Sequence, residues 1–130
     1  GKQYYQIYNL ANGRFINPRN PVKRICLSAT SGDFQGFDLY GSSIYTIEGS
    51  PRKSFLRGYD RSRRYQPTKI RRYNYAARSK KTITIRGAKT LSFREPEGIK
   101  VLAGGQIYMM YVSNTLTNQS CNIYRVKRKI

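Results

Sequence analysis

The apolar residues of this chain fall in short alternating runs broken by Gly, Pro, Asn and Ser, and this spacing constrains the fold more than any other feature. Residues 4–10, 22–29, 43–47, 82–86, 99–102, 106–112 and 121–126 are rich in Tyr, Ile, Val and Thr, which suit a pleated, half-buried surface. Eleven glycines and five prolines interrupt most of the remaining windows before a helix passes three turns. Two joins are sharper than the rest. Gly104-Gly105, between Val101-Leu102 and Ile107-Tyr108, and Asn12-Gly13, between Tyr8 and Phe15, supply the positive φ that tight hairpins demand. In residues 68–81, after Pro67, Ile70, Tyr73 and Ala77 recur at helical spacing, and a short helix competes there with an extended reading. The expected fold is mainly β, or α+β: a small antiparallel sheet, sandwich or partly open barrel, with one short helix over 68–81.

At 130 residues the chain is expected to form one compact domain, 1–130, with twelve tyrosines helping to fill a lean core. No stretch approaches the roughly 20 apolar residues of a membrane-spanning helix. Cys26 and Cys121 sit in apolar-alternating segments, too far apart for a local redox or zinc motif. A disulfide between them is expected to staple the fold, contributing about 4 kcal/mol on a loop-entropy basis. Two buried thiols are the alternative. The opening Gly1-Lys2-Gln3-Tyr4 reads as a terminus from which a targeting peptide has been removed, so a secreted, extracellular protein is expected. Asn118-Gln119-Ser120 has the form of an N-glycosylation site.

Charge separates the function classes. There are 25 Lys and Arg against 6 Asp and Glu, a formal net charge of +19, and no histidine. Twelve of the basic groups lie in residues 52–81 with Asp60 as the one acid, and residues 125–130 form a second basic element. In the first block Arg52, Arg57, Arg61, Arg63, Arg64, Lys69, Arg71, Arg72, Arg78, Lys80 and Lys81 are interleaved with Tyr59, Tyr65, Tyr73 and Tyr75. Cations neutralise phosphates and flat rings stack on bases, so this mixture suits single-stranded nucleic acid. Arginine also grips sulfate, which keeps sulfated glycans in play. Arg125, Lys127 and Arg128 extend the same surface if the last strand lies near the 52–81 segment. The plain alternative is a solvated loop whose charge serves solubility. Yet crowded like charges repel one another, and a counter-anion accounts for their retention.

The lack of histidine excludes Ser-His-Asp and Cys-His nucleophilic sites, and no phosphate-cradling loop, nucleophile elbow, metal-ligand spacing or cofactor motif is present. Asp33 with Asp38, and Glu95 with Glu97, lie among Gly and Pro and read as turn formers. A histidine-free ribonuclease is the one enzyme reading that survives, with Glu48 as the carboxylate to test. In size, basicity and cysteine spacing the chain resembles small exported β-rich proteins: growth-factor-like trefoils that hold sulfated glycans, and histidine-poor ribonuclease-like effectors of plant-pathogenic fungi. No threefold repeat supports the trefoil. The expected function is therefore non-enzymatic binding of a polyanion: RNA or single-stranded DNA, or a sulfated glycan. The alternatives are a pathogen effector or toxin acting on or occupying RNA, with a host protein as a further partner, and a structural protein of a nucleic-acid-packaging particle.

Overall fold

The computed structural model describes residues 1–28, 33–49, 67–91, 94–114 and 118–130. The chain forms two compact units, Gly1–Ser31 and Gly32–Ile130. In the first, β1 (Lys2–Ile7) pairs antiparallel with β4 (Lys23–Ser28), and the two-residue strands β2 (Leu10–Ala11) and β3 (Arg14–Phe15) form a hairpin between them. Asn12 and Gly13 turn that hairpin with φ of 51° and 73°, the left-handed pair that a primed turn requires. Tyr8 and Phe15 close it edge to face, with ring centroids 5.2 Å apart.

The second unit holds a four-stranded meander, β5 (Phe34–Tyr40), β6 (Ser43–Glu48), β7 (Thr68–Asn74) and β8 (Ser79–Ile85), with every neighbouring pair antiparallel. It continues into an antiparallel sheet ordered β11-β10-β9, built from β9 (Glu95–Leu102), β10 (Gln106–Asn114) and β11 (Gln119–Val126). One core serves both sheets: Tyr45, Ile47 and Ile70 from the first, Val101, Ile107, Met109, Tyr111 and Val126 from the second. Period-two alternation selects these residues, since Ile107, Met109 and Tyr111 face inward while Tyr108 and Met110 do not. Strand β6 is buried along its whole length.

The sheets are held together along β5 and β9. Asp38 accepts the Val101 backbone N–H at 2.6 Å, and the Tyr40 hydroxyl accepts the Gly104 N–H at 2.9 Å. Gly36 lies against Gly98 of β9: a Cβ there would meet the Gly98 Cα and the Ile47 side chain at 3.8 Å, ordinary van der Waals contact. β9 and β10 are joined through Ala103–Gly105, where Gly104 and Gly105 take φ of 74° and 75°. That matches the Gly-Gly hairpin expected from sequence.

Three expectations are corrected. No helix forms over 68–81: these residues make the β7–β8 hairpin, and the described residues contain no α-helix. The Asn74 carboxamide oxygen accepts the N–H groups of Ala76 and Ala77 at 3.0 and 2.9 Å, turning the chain where a helix would have continued. The Cys26–Cys121 disulfide is not formed. Both are free, exposed thiols, because alternation turns Ile25 and Leu27 inward and Cys26 outward, and Cys121 is likewise exposed opposite Val112. Finally, Asp38, Glu95 and Glu97 lie within strands, not turns. Among the described residues no helix is long and apolar enough to cross a membrane.

Candidate functional site

Among the described residues β8 and β11 each have a strand neighbour on one side only, and the two edges flank a groove of about 270 Å³. Its walls are Ile83 and Ile85 from β8 and Tyr124 and Val126 from β11, over a floor of Met109 and Tyr111. Arg86, Arg125, Lys127 and Arg128 also line it. The groove is therefore apolar within and cationic at its margin.

The floor is rigidly supported. Arg94 is buried, with its guanidinium 4.2 Å from the Tyr111 ring centroid. Its Nη2 donates to the Tyr111 hydroxyl at 2.6 Å, its Nη1 to Thr68 Oγ1 at 3.2 Å, and its Nε to the Gly87 carbonyl at 3.0 Å. Tyr111 in turn donates to Thr68 Oγ1 at 2.9 Å. One arginine thus ties β7, β10 and the segment after β8 together. Tyr124 packs edge-on against Tyr111, centroids 5.7 Å apart, and remains 37% exposed.

The tail completes the flank. After Val126 the chain runs back to β7, where Arg72 Nη1 donates to the Ile130 carbonyl at 3.0 Å and Ile130 packs against the core. Lys81 lies opposite Arg72 in register, so the basic tail and the basic β7–β8 hairpin are joined. Arg78 in the turn, Lys80 and Lys81 on β8, Arg125 near the end of β11, and Lys127 and Arg128 in the tail are all exposed. None of them forms an ion pair with a described residue. No Asp or Glu occurs in 78–86 or 125–130.

The residues singled out from sequence divide into three groups. Arg52, Arg57, Tyr59, Arg61, Arg63, Arg64 and Tyr65 lie outside the described residues. Others in the basic block serve the fold. Arg71 pairs with Glu48 at 3.5 Å, and Arg72 also donates to Ser43 Oγ at 3.1 Å beside the Tyr45 ring. Tyr75 donates to the Gly41 carbonyl at 3.2 Å, and Lys69 and Tyr73 are half-buried on β7. The third group is the exposed set from Arg78 to Arg128 just described. Sequence reasoning missed Arg86, Arg94 and Tyr124. Tyr124 had a legible signal, since it alternates with Val126 on a strand next to the basic tail.

Glu48, the carboxylate chosen for an enzymatic test, is 1% exposed, accepts from Thr46 Oγ1 at 3.2 Å and faces Arg71. A carboxylate so enclosed does not meet a polymeric substrate. Asp38 is occupied by Val101, Leu39 and Lys100. The Glu95 carboxyl is held above its ordinary range, first by burial and then by the negative charge of Glu97, with a hydrogen bond from Gln35 acting in the opposite sense. Among the described residues no three His, Cys, Asp or Glu side chains gather to hold a metal. No protein-family model, curated protein or solved structure matches the chain.

Proposed function

We propose that this protein is a non-enzymatic, polyanion-binding module whose binding surface is the flank formed by the β7–β8 hairpin and the tail, with single-stranded nucleic acid preferred over sulfated glycan. The observation that carries this is the Arg72–Ile130 hydrogen bond, which fastens the basic tail against the β7–β8 hairpin. Neither run of cations, 78–86 or 125–130, contains an acid, and the mutual repulsion within them is relieved when a polyanion replaces solvent counterions.

The arginines and lysines that keep the fold are distinct from those that face solvent, so binding and stability are separable by mutation. The test is retention on immobilised RNA and on heparin as salt is raised. Steep salt dependence that falls when the exposed cations are removed supports this function; elution at the salt of a neutral protein refutes it. Export through a secretory route is proposed only as the setting in which such a module would meet its ligand, and the free thiols of Cys26 and Cys121 give it no support.

A further inference from the structure

A phosphate backbone and a sulfated glycan both satisfy a row of cations, and charge alone does not separate them. The groove between β8 and β11 does, because directly beside the cations it offers walls of Ile83, Ile85 and Val126 and the ring of Tyr124. A sulfated sugar presents hydroxyls and sulfates on every side and gains little from apolar walls. A nucleotide is an anion joined to a flat aromatic ring. Building on polyanion capture by this same flank, we infer that the groove receives one unstacked base of a single-stranded nucleic acid, stacked on Tyr124, with the adjoining phosphates held by Arg86, Lys127 and Arg128.

The dimensions agree. A volume of about 270 Å³ lies just under the roughly 300 Å³ at which pockets begin to enclose drug-sized molecules, so it holds one ring system and not a longer residue. Tyr124 stands opposite Met109 on the core-facing side of β11, yet stays 37% exposed because the groove opens beside it. Its ring is braced by Tyr111, which Arg94 clamps in turn, so little side-chain freedom remains to be lost when a base stacks. A duplex keeps its bases paired and stacked within itself, and a slot of this kind reads only a strand whose bases are free.

The experiment compares four ligands on the intact protein at one salt concentration: a short oligouridylate, an abasic strand with the same number of phosphates, uridine monophosphate, and a heparin-derived oligosaccharide. The oligouridylate is expected to bind roughly five- to a hundredfold more tightly than the abasic strand. Tyr124→Ala is expected to erase that ratio while leaving abasic affinity and salt slope unchanged, and Tyr124→Phe to preserve it. Equal binding of the uridylate and abasic strands, or of uridylate and heparin oligosaccharide, overturns the base slot while polyanion capture stands. Monophosphate binding as tight as the oligomer overturns the strand as ligand in favour of a free nucleotide. If no ligand binds with a salt dependence, polyanion capture itself fails. Should Tyr124→Ala not fold, the uridylate-to-abasic ratio of the unmodified protein decides alone.

Discussion

The carboxylate of Asp38 accepts the backbone N–H of Val101 at 2.6 Å, so a side chain on β5 does for β9 what a ladder hydrogen bond would otherwise do. The same carboxylate accepts its neighbour Leu39 N–H at 2.9 Å and lies 3.2 Å from the Lys100 ammonium. One acid, in a chain with only six, thus adds polar contacts between the two sheets to their shared apolar core.

Asp38→Ala is expected to lose about 2–3 kcal/mol of stability, the range for a hydrogen bond to a charged group plus the N–H left without its partner. Asp38→Asn keeps an acceptor and loses less. Lys100→Ala is expected to change stability by less than about 1 kcal/mol, because Lys100 is 65% exposed and water screens its ion pair. Urea titrations of the three variants check the order.

Arg71→Ser leaves the buried Glu48 facing a site from which its guanidinium has been removed. Breaking one side of a buried pair costs about 3–5 kcal/mol, and the lower end applies here because Arg71 is 17% exposed. Pairing Arg71→Ser with Glu48→Gln is expected to recover part of the loss. A double-mutant cycle in denaturant measures the recovery.

Stability is expected to fall as pH rises through the titration of Glu95. Its folded pKa is raised, so the folded state favours the protonated acid, and that preference contributes below the unfolded value and is lost above the folded one. Glu95→Gln keeps the Gln35 contact without the charge. Melting scans are expected to show the variant more stable than the parent at pH 7, with the difference gone below pH of about 4.

Replacing Arg78, Lys80 and Lys81, or Lys127, Arg128 and Lys129, with Ser is expected to lower the salt slope for single-stranded RNA by about 0.7 for each phosphate that is no longer neutralised. Melting temperature is expected to stay within 2 °C or so, since exposed substitutions away from packed features usually change stability by less than about 0.5 kcal/mol. Arg72→Ser is the contrasting control. It removes the bonds to Ser43 and Ile130 and is expected to lower both stability and affinity.

Gly104→Ala tests the β9–β10 turn by conformation alone. No atom lies within 4 Å of the added Cβ, so the expected loss of about 1–2 kcal/mol comes only from holding alanine at φ of 74°. A chemical-denaturation midpoint lowered with unchanged slope is the expected record.

The turns were the most legible part of the sequence because their chemistry is local. Asn12-Gly13 and Gly104-Gly105 sit where positive φ is needed whatever surrounds them. β7 was ambiguous because Ile70, Tyr73 and Ala77 match a helical period. In the folded chain Thr68 and Ile70 face inward, paired with Ile85 and Ile83, and the period is two. β5 escaped notice because Gly36 and Asp38 are turn-prone residues. Here both lie on a strand against β9, Gly36 beside Gly98 and Asp38 bonded to Val101, each partner some sixty residues away in sequence. The cysteines do lie on strands, but which side of a strand faces inward is a matter of register. Likewise the basic block was visible as charge, while the division between fold-keeping Arg71 and Arg72 and solvent-facing Lys80 and Lys81 needed tertiary structure.

The edge of β8 has a bearing on how copies of this protein behave in concentrated solution. An open strand offers main-chain donors and acceptors on which another molecule's strand can be laid, the first step toward aggregation. Lys80 and Lys81 set two ammonium groups along that margin and hold approaching copies apart. A ligand that neutralises them lifts the repulsion, so clouding or fibre growth is expected first near charge equivalence with the polyanion, and least in the protein alone.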